Sequence, residues 1–481
     1  MGFYPQPLAA PRPMVLALLL VLVLAVELAL YFPQRGELGV LVGLYASVVW
    51  SLPIGITALI AWGARLAARR MRASRDRAEP PPVDELVIVQ LPTIGRYDVI
   101  PALTRVVESF EREMPDWYRE WRLDVVAEES SPAKAELEAL ASENVRILYV
   151  PTAYGTPNGT ERKARANQWM NELRIAEAEA RPDVWVLHMD DDTGIGPDTP
   201  PAIAWVIHGN PWGLRHSADL AQGVLTYPRQ YASRFWPWLA DSIRPGSDLS
   251  LFHLSTDSGS PFIGAHGELL LVRASTEAEI GWDYGRNLSI TEDANFALTF
   301  GGMPSKRSTW FPARCYGSSP ESLRDLVAQR QRWARGLLHV ACNRALPRRA
   351  RLMLAYAMLA WFMGPFQHVV TVVATAYLVG NPNTSPLTRE LVLLWAFNMS
   401  VVVWMYIEGL RANVHASGLP RVTCRHWIGL VLIPWFTLIE GWAALLGLAD
   451  FVKDRLGLQS GELFHVIAKT HDGSGGRRAA R

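Results

Sequence analysis

The chain of 481 residues holds only three cysteines, Cys315, Cys342 and Cys424, odd in number and far apart. That pattern supports neither a disulfide framework nor a cysteine zinc site, and the three are expected to be buried or lipid-facing. An excess of either charge is also missing, with 47 Lys and Arg against 46 Asp and Glu. Near-neutrality gives no electrostatic case for nucleic acid as a partner. No Gly-rich loop ending in Lys and Ser or Thr is present, which disfavours a phosphoryl-transfer enzyme. The long apolar stretches carry few charges apart from Glu408 and Glu440. Transport paths ordinarily show intramembrane ionisable groups, so a transporter or scaffold whose polar section only binds nucleotide is the weaker alternative.

Apolar stretches themselves are plentiful. Met14 to Phe32 and Leu38 to Trp62 each hold about twenty mostly apolar residues, enough to cross a hydrocarbon core of roughly 30 Å. The first is too long for a signal-peptide core, lacks a basic leader and is followed directly by the second, so a retained anchor hairpin is expected. Arg65, Arg69, Arg70, Arg72, Arg75 and Arg77 come next and read as a cytosolic flank under the positive-inside rule. Two further spans are expected at Leu352 to Val379 and Leu387 to Leu410. A fifth stretch, Trp427 to Ala449, contains Pro434 and Glu440 and either crosses the membrane or lies at its interface. Asp472 to Arg481, rich in Gly, Ser and Arg, is expected to be disordered.

The resulting organisation has five parts. Residues 1–79 form a transmembrane hairpin with its basic flank, 80–346 a polar α/β domain, and 347–411 a second transmembrane hairpin. Residues 412–471 form an apolar membrane or interfacial segment with a cytosolic tail, and 472–481 the disordered end. Within the polar domain, Leu86 to Leu91, Trp121 to Ala127, Val145 to Val150 and Val184 to Met189 are short apolar or β-branched runs separated by helical segments. Strands alternating with helices predict a mainly parallel sheet covered on both faces, with ligands at the carboxyl ends of its strands.

Three motifs carry chemistry. Asp190-Asp191-Asp192 ends the fourth strand, and carboxylates two apart, Asp190 and Asp192, can share Mg2+ or Mn2+ while leaving positions for phosphate oxygens. An acidic turn of this kind is also a common helix cap. Thr291-Glu292-Asp293 opens a helix, where Asp293 is suited to take a proton from a hydroxyl and where Thr291 and Asp293 would equally serve as caps. Gln329-Arg330-Gln331-Arg332-Trp333 sets Gln329, Arg332 and Trp333 within about one helical turn, offering an amide, a guanidinium and an indole to one pocket. An interfacial amphipathic helix would also use Arg and Trp.

In this order, and between membrane segments, the motifs resemble the membrane-embedded family-2 glycosyltransferases over nearly the whole chain. The resemblance implies a GT-A fold on the cytosolic face of the cell membrane. It also implies a metal at Asp190 and Asp192, a base at Asp293 within Thr291-Glu292-Asp293, and Gln329, Arg332 and Trp333 over the donor diphosphate and acceptor. Lys163-Ala164-Arg165-Ala166-Asn167 is similar to the family's basic stretch, which implies donor contacts at Lys163 and Asn167. Phe262-Ile263-Gly264-Ala265-His266-Gly267, then Ile280 to Gly285 and Thr291-Glu292-Asp293, is similar to the Egghead-type β-1,4-mannosyltransferases, which transfer mannose from GDP-mannose to a glucosylated lipid. His266, Gly267 and Trp282 are then expected on the acceptor side, with a lipid-linked or glycan acceptor and membrane lipids as partners. A processive polysaccharide synthase using a UDP-sugar stays open. The chain departs from many relatives at Glu128-Glu129, where an aspartate for the nucleotide base would stand, and Phe464 to Thr470 only loosely resembles the synthases' gating segment.

Overall fold

The four apolar runs of the polar section become four strands, β1 (Leu86–Pro92), β2 (Trp121–Glu128), β3 (Val145–Val150) and β4 (Val184–His188). The computed structural model describes residues 11–12, 49, 51–74, 79–209, 218–380, 386–419 and 423–458, with the backbone alone over 73–74, 368–380, 386–396, 424–425 and 428. The strands lie in the order β3-β2-β1-β4, all parallel, with Val89 level with both Leu123 and Leu187. Near-continuous apolar strands suit a sheet that is buried on both faces. The second half adds β5 (Gly194–Ile195), β6 (Leu220–Thr226), β7 (Leu270–Arg273) and β8 (Ser308–Tyr316) in the order β4-β7-β6-β8-β5. Here β7 is antiparallel to both β4 and β6, and β5 to β8, while β6 and β8 run parallel. The eight-stranded sheet is therefore mixed and mostly parallel, the GT-A-like arrangement expected.

Around it pack α1 (Ile54–Ser74), α2 (Ile100–Glu113), α3 (Arg162–Ala176), α4 (Ile243–Ser247), α5 (Glu292–Phe300), α6 (Leu323–Cys342), α7 (Arg348–Gly380), α8 (Pro386–Ala416) and α9 (Ile433–Arg455), with further helices between them. Strand alternation divides the core in two. Val87, Val89 and Leu91 pack with Leu103, Val106 and Phe110 of α2, whereas Ile88, Val184 and Val186 pack with Phe296 and Ala297 of α5. Both layers leave the carboxyl ends of β1, β2 and β4 open to one side.

Among the described residues one helix, α9, is long and apolar enough to cross a membrane by length and composition. The expected spans Leu352 to Val379 and Leu387 to Leu410 fall in α7 and α8. Met14 to Phe32, residues 38–48 and 50 of the stretch Leu38 to Trp62, Phe464 to Thr470 and the terminal tail lie outside the described residues. Pro365 sits inside α7 against Gly441 of α9, where a Cβ would lie 2.2 Å from its Cδ, so the two helices meet at a glycine.

The basic run after α1's apolar part is corrected in one respect. Arg65, Arg69 and Arg72 are exposed, but Arg70 pairs with Asp257 and donates to Thr309 Oγ1 at 3.1 Å, and Met71 is buried beside Trp310. The end of α1 is therefore docked on the sheet domain. Cys315 is buried in β8 as expected, whereas Cys342 is exposed, because it closes the last turn of α6.

Candidate active site

All five residues of β4 are buried, so the loop that follows is delivered to the carboxyl edge of the sheet. Thr93, just beyond β1, donates through Oγ1 to Asp191 Oδ2 at 2.7 Å and ties that loop down. Asp190, its neighbour, accepts from Lys163 Nζ near the start of α3. Lys163 Nζ also lies 4.0 Å from Glu292 Oε1 at the start of α5. Thr291 is the N-cap of α5 but makes no side-chain capping bond, so capping does not account for it. Asp293 Oδ1 accepts from the Ala294 backbone N–H at 2.7 Å.

Burial and charge set the ionisation of this cluster. Burial raises the Asp293 carboxyl, with Lys163 opposing and Glu268 adding to the rise. Glu292 is pushed up to about 7 by burial and by the charge of Asp293, again against Lys163. Burial alone would lower the Lys163 ammonium, but Asp190, Glu292 and Glu268 outweigh it and raise it. Gly267 lies against both sides of the cluster: a Cβ there would stand 2.5 Å from Lys163 Nζ and 3.6 Å from Asp293 Oδ2. His266 bridges two carboxylates, with Nε2 3.1 Å from Asp248 Oδ2 and Nδ1 3.2 Å from Glu268 Oε2. Burial opposes its charge, yet Asp248 and Glu268 prevail and push it up to about 9.

Except for Asp248, which stands behind His266, these groups line one cleft of about 1020 Å³ together with Gln329, Arg332 and Trp333 of α6. Gly336 lets α6 approach α5, since a Cβ there would lie 2.7 Å from the Thr291 side chain. Two guanidiniums lie against the Trp333 ring, Arg330 at 4.3 Å and Arg244 at 4.5 Å from its centroid. Arg330 is buried: Nε donates to Glu440 Oε1 of α9 at 2.8 Å, Nη1 to Gln329 Oε1 at 2.6 Å, and Nη2 to Asp241. At the other end of the cleft, Glu128 closes β2 and is paired with Arg165.

Two expected site residues stand elsewhere. Trp282 is 1% exposed, stacked on Phe296 at 4.2 Å, and donates through Nε1 to Glu277 at 2.7 Å, so it offers no face to a sugar. Asn167 is also buried, its Oδ1 accepting from Gln90 Nε2 at 2.7 Å inside a network that continues through Arg174 to Glu277. Conversely, Glu268, Asp248, Arg244 and Arg330 belong to the site and escaped the sequence reading. Glu268 directly follows the quoted Gly267, and Arg330 lies inside the quoted α6 motif, so adjacency was the available signal. Asp248 and Arg244 stand in a segment without any motif.

Asp190 and Asp192 both line the cleft, with Asp190 paired to Lys163. Among the described residues no group of three His, Cys, Asp or Glu side chains is placed to hold a metal ion. A divalent ion there would need phosphate oxygens and water to fill a shell of about six. The hard oxygen donors fit magnesium or manganese arriving with a diphosphate.

Residues 185–407 match the family model "Glycosyl transferase family group 2". The chain is 25% identical over 315 residues to "Beta-1,4-mannosyltransferase egh" of Drosophila melanogaster, an alignment covering 63% of this chain and 64% of that protein. It is 26% identical over 312 residues to "Beta-1,4-mannosyltransferase bre-3" of Caenorhabditis elegans, with the same coverage, 63% and 64%. The chain thus spans just under two thirds of the length of the relatives it matches. Among solved structures, the mannosyltransferase PcManGT from Pyrobaculum calidifontis, in complex with GDP-Man and Mn2+, is 16% identical with a TM-score of 0.46, covering 85% of this chain and 99% of that one.

Proposed function

We propose, from the match of residues 185–407 to a family-2 glycosyltransferase model, an inverting hexosyl transfer from a nucleoside diphosphate sugar to an acceptor hydroxyl. Mannose as the sugar, and a β-linkage, follow the names of the two relatives; GDP as the nucleotide follows the motif resemblance. The observation that carries the proposal is that Asp293, Lys163, Asp190 and Trp333, distant in sequence, line a single cleft.

Asp293 takes the proton of the acceptor hydroxyl as that oxygen forms its bond to the anomeric carbon and the bond to the diphosphate oxygen breaks. A single in-line displacement inverts the anomeric centre and needs no protein nucleophile. The raised Asp293 carboxyl favours this step, because a more basic carboxylate takes a hydroxyl proton more readily. Lys163 and Arg332 offset charge that develops on the departing diphosphate. Held by Asp190 and Asp192, a magnesium or manganese ion would supply further positive charge at the same place. Trp333 lines the cleft and contacts the acceptor there, and Gln329 is fixed beside it by Arg330.

Helix α9 supports attachment to a membrane, and its ion pair with Arg330 sets it directly behind the cleft wall. A lipid-linked acceptor, with the cleft on the cytosolic side, is consistent with that adjacency. The test is nucleotide release by detergent-purified protein given manganese and a panel of GDP- and UDP-sugars, with and without membrane lipid extract. Lipid-stimulated turnover of GDP-mannose is expected. Turnover of a UDP-sugar alone would discard the donor, and silence with every donor would discard the transferase reading.

A further inference from the structure

The two guanidiniums that lie against Trp333 are satisfied very differently. Arg330 is used up internally by Glu440, Asp241 and Gln329. Arg244, on α4, lines the cleft and is half-buried, yet its guanidinium makes no hydrogen bond or ion pair with any described residue, and its Nε is buried without an acceptor.

The acids around Arg244 each hold another group through one oxygen, while Asp248 Oδ1 and Asp241 Oδ2 are buried without a hydrogen-bond partner and neither bonds Arg244. Asp248 Oδ2 lies 3.1 Å from His266 and accepts from the Leu225 backbone N–H at 2.8 Å. Glu268 lies 3.2 Å from the other nitrogen of His266. Asp241 holds Arg330. A guanidinium withdrawn from water with unmet donors costs stability; the charges of Asp248 and Glu268 and the ring of Trp333 offset part of that cost through space but give the N–H donors no acceptor. Its flat fork of N–H donors matches two oxygens of a phosphate, while a neutral sugar hydroxyl would leave its charge unmet.

Position narrows the role. Helix α4 is pressed against α8: a Cβ at Gly246 would fall 2.1 Å from Met405 O, and one at Gly409 1.7 Å from Ser242 O. Arg244 therefore cannot withdraw with its backbone, and it stands where the cleft meets the long apolar helices. Resting on the reading that the cleft takes a nucleoside diphosphate sugar, we propose that Arg244 is a phosphate-binding residue of the cleft. Its ligand is a phosphate oxygen, of the donor diphosphate or of a phosphate-bearing acceptor lipid.

The test compares the full-length protein in detergent with Arg244→Gln and Arg244→Lys variants. Affinities are measured for GDP and UDP with manganese, for a polyisoprenyl phosphate, and for the phosphate-free guanosine and polyisoprenol. Arg244→Gln is expected to weaken at least one phosphate ligand about tenfold, with Arg244→Lys restoring part of it and the phosphate-free ligands and thermal midpoint unchanged. A loss confined to the nucleotides assigns the donor, and one confined to the polyisoprenyl phosphate assigns the acceptor. Equal phosphate affinities in wild type and both variants, or a loss shared equally by the phosphate-free ligands, overturns the assignment. Phosphate binding that depends on Arg244 in a protein without sugar turnover would sink the transferase reading and leave this one standing.

Discussion

Arg330 and Glu440 form an ion pair, 2.8 Å from Nε to Oε1, joining the helix that bears Gln329 and Trp333 to α9, the described helix long enough to cross a membrane. Arg330 is 1% exposed and also holds Asp241, so it anchors two buried carboxylates at once. Arg330→Met would leave both unpaired and is expected to cost about 3–5 kcal/mol, read by thermal or denaturant unfolding. Glu440→Gln should cost less, because Asp241 still holds the guanidinium. Equal stability of Arg330→Met and wild type would contradict this.

Trp333 lines the cleft and Trp282 does not, so the two tryptophans should part company in activity assays. Trp333→Ala is expected to lower transfer at least tenfold through the acceptor's KM. Trp282→Phe should stay within a few-fold of wild type and lose about 1 kcal/mol of stability with its bond to Glu277. Comparable losses of transfer in both variants would restore Trp282 to the acceptor side.

Asp293 must be ionised to act, and burial, with Glu268, raises its carboxyl. Activity should therefore fall as pH drops through a range above that of ordinary carboxylates, about 4. Lys163 opposes the rise, so Lys163→Met should move this acid limb of kcat to still higher pH, whatever it does to the amplitude. A limb at ordinary carboxylate pH, or one that Lys163→Met moves downward, would contradict the assignment.

His266 gives stability its own pH dependence. Its folded pKa, about 9, lies above the ordinary 6.5, so its contribution is complete below pH 6.5 and lost as pH rises towards 9. With burial near complete, that contribution is about 3 kcal/mol in order of magnitude. Denaturant unfolding at pH 6 and pH 9 should show the decline in wild type and a flatter response in His266→Gln. The same slope in both proteins would remove the bridged imidazolium.

How far the sequence reached is visible residue by residue. Strands β1 to β4 were legible because buried parallel strands are written as short apolar runs with local signals. Strands β5 to β8 were not, since β6 carries Gly223, β5 has two residues, and their neighbours in the sheet are far away in sequence. The motif residues Asp190, Asp293 and Trp333 do line one cleft, whereas Asn167 and Trp282 were misplaced because a motif does not say which way a side chain turns. Arg330 and Arg244 escaped for a related reason: whether an arginine is spent or free depends on partners such as Glu440, 110 residues away.

Hexosyl transfer with Asp293 as the base is tested by measuring mannosyl transfer from GDP-mannose to extracted membrane lipid with wild type and Asp293→Asn. Asp293→Asn is expected to lose about 10²- to 10⁴-fold in rate while its affinity for GDP is unchanged. Full transfer by Asp293→Asn would contradict the account.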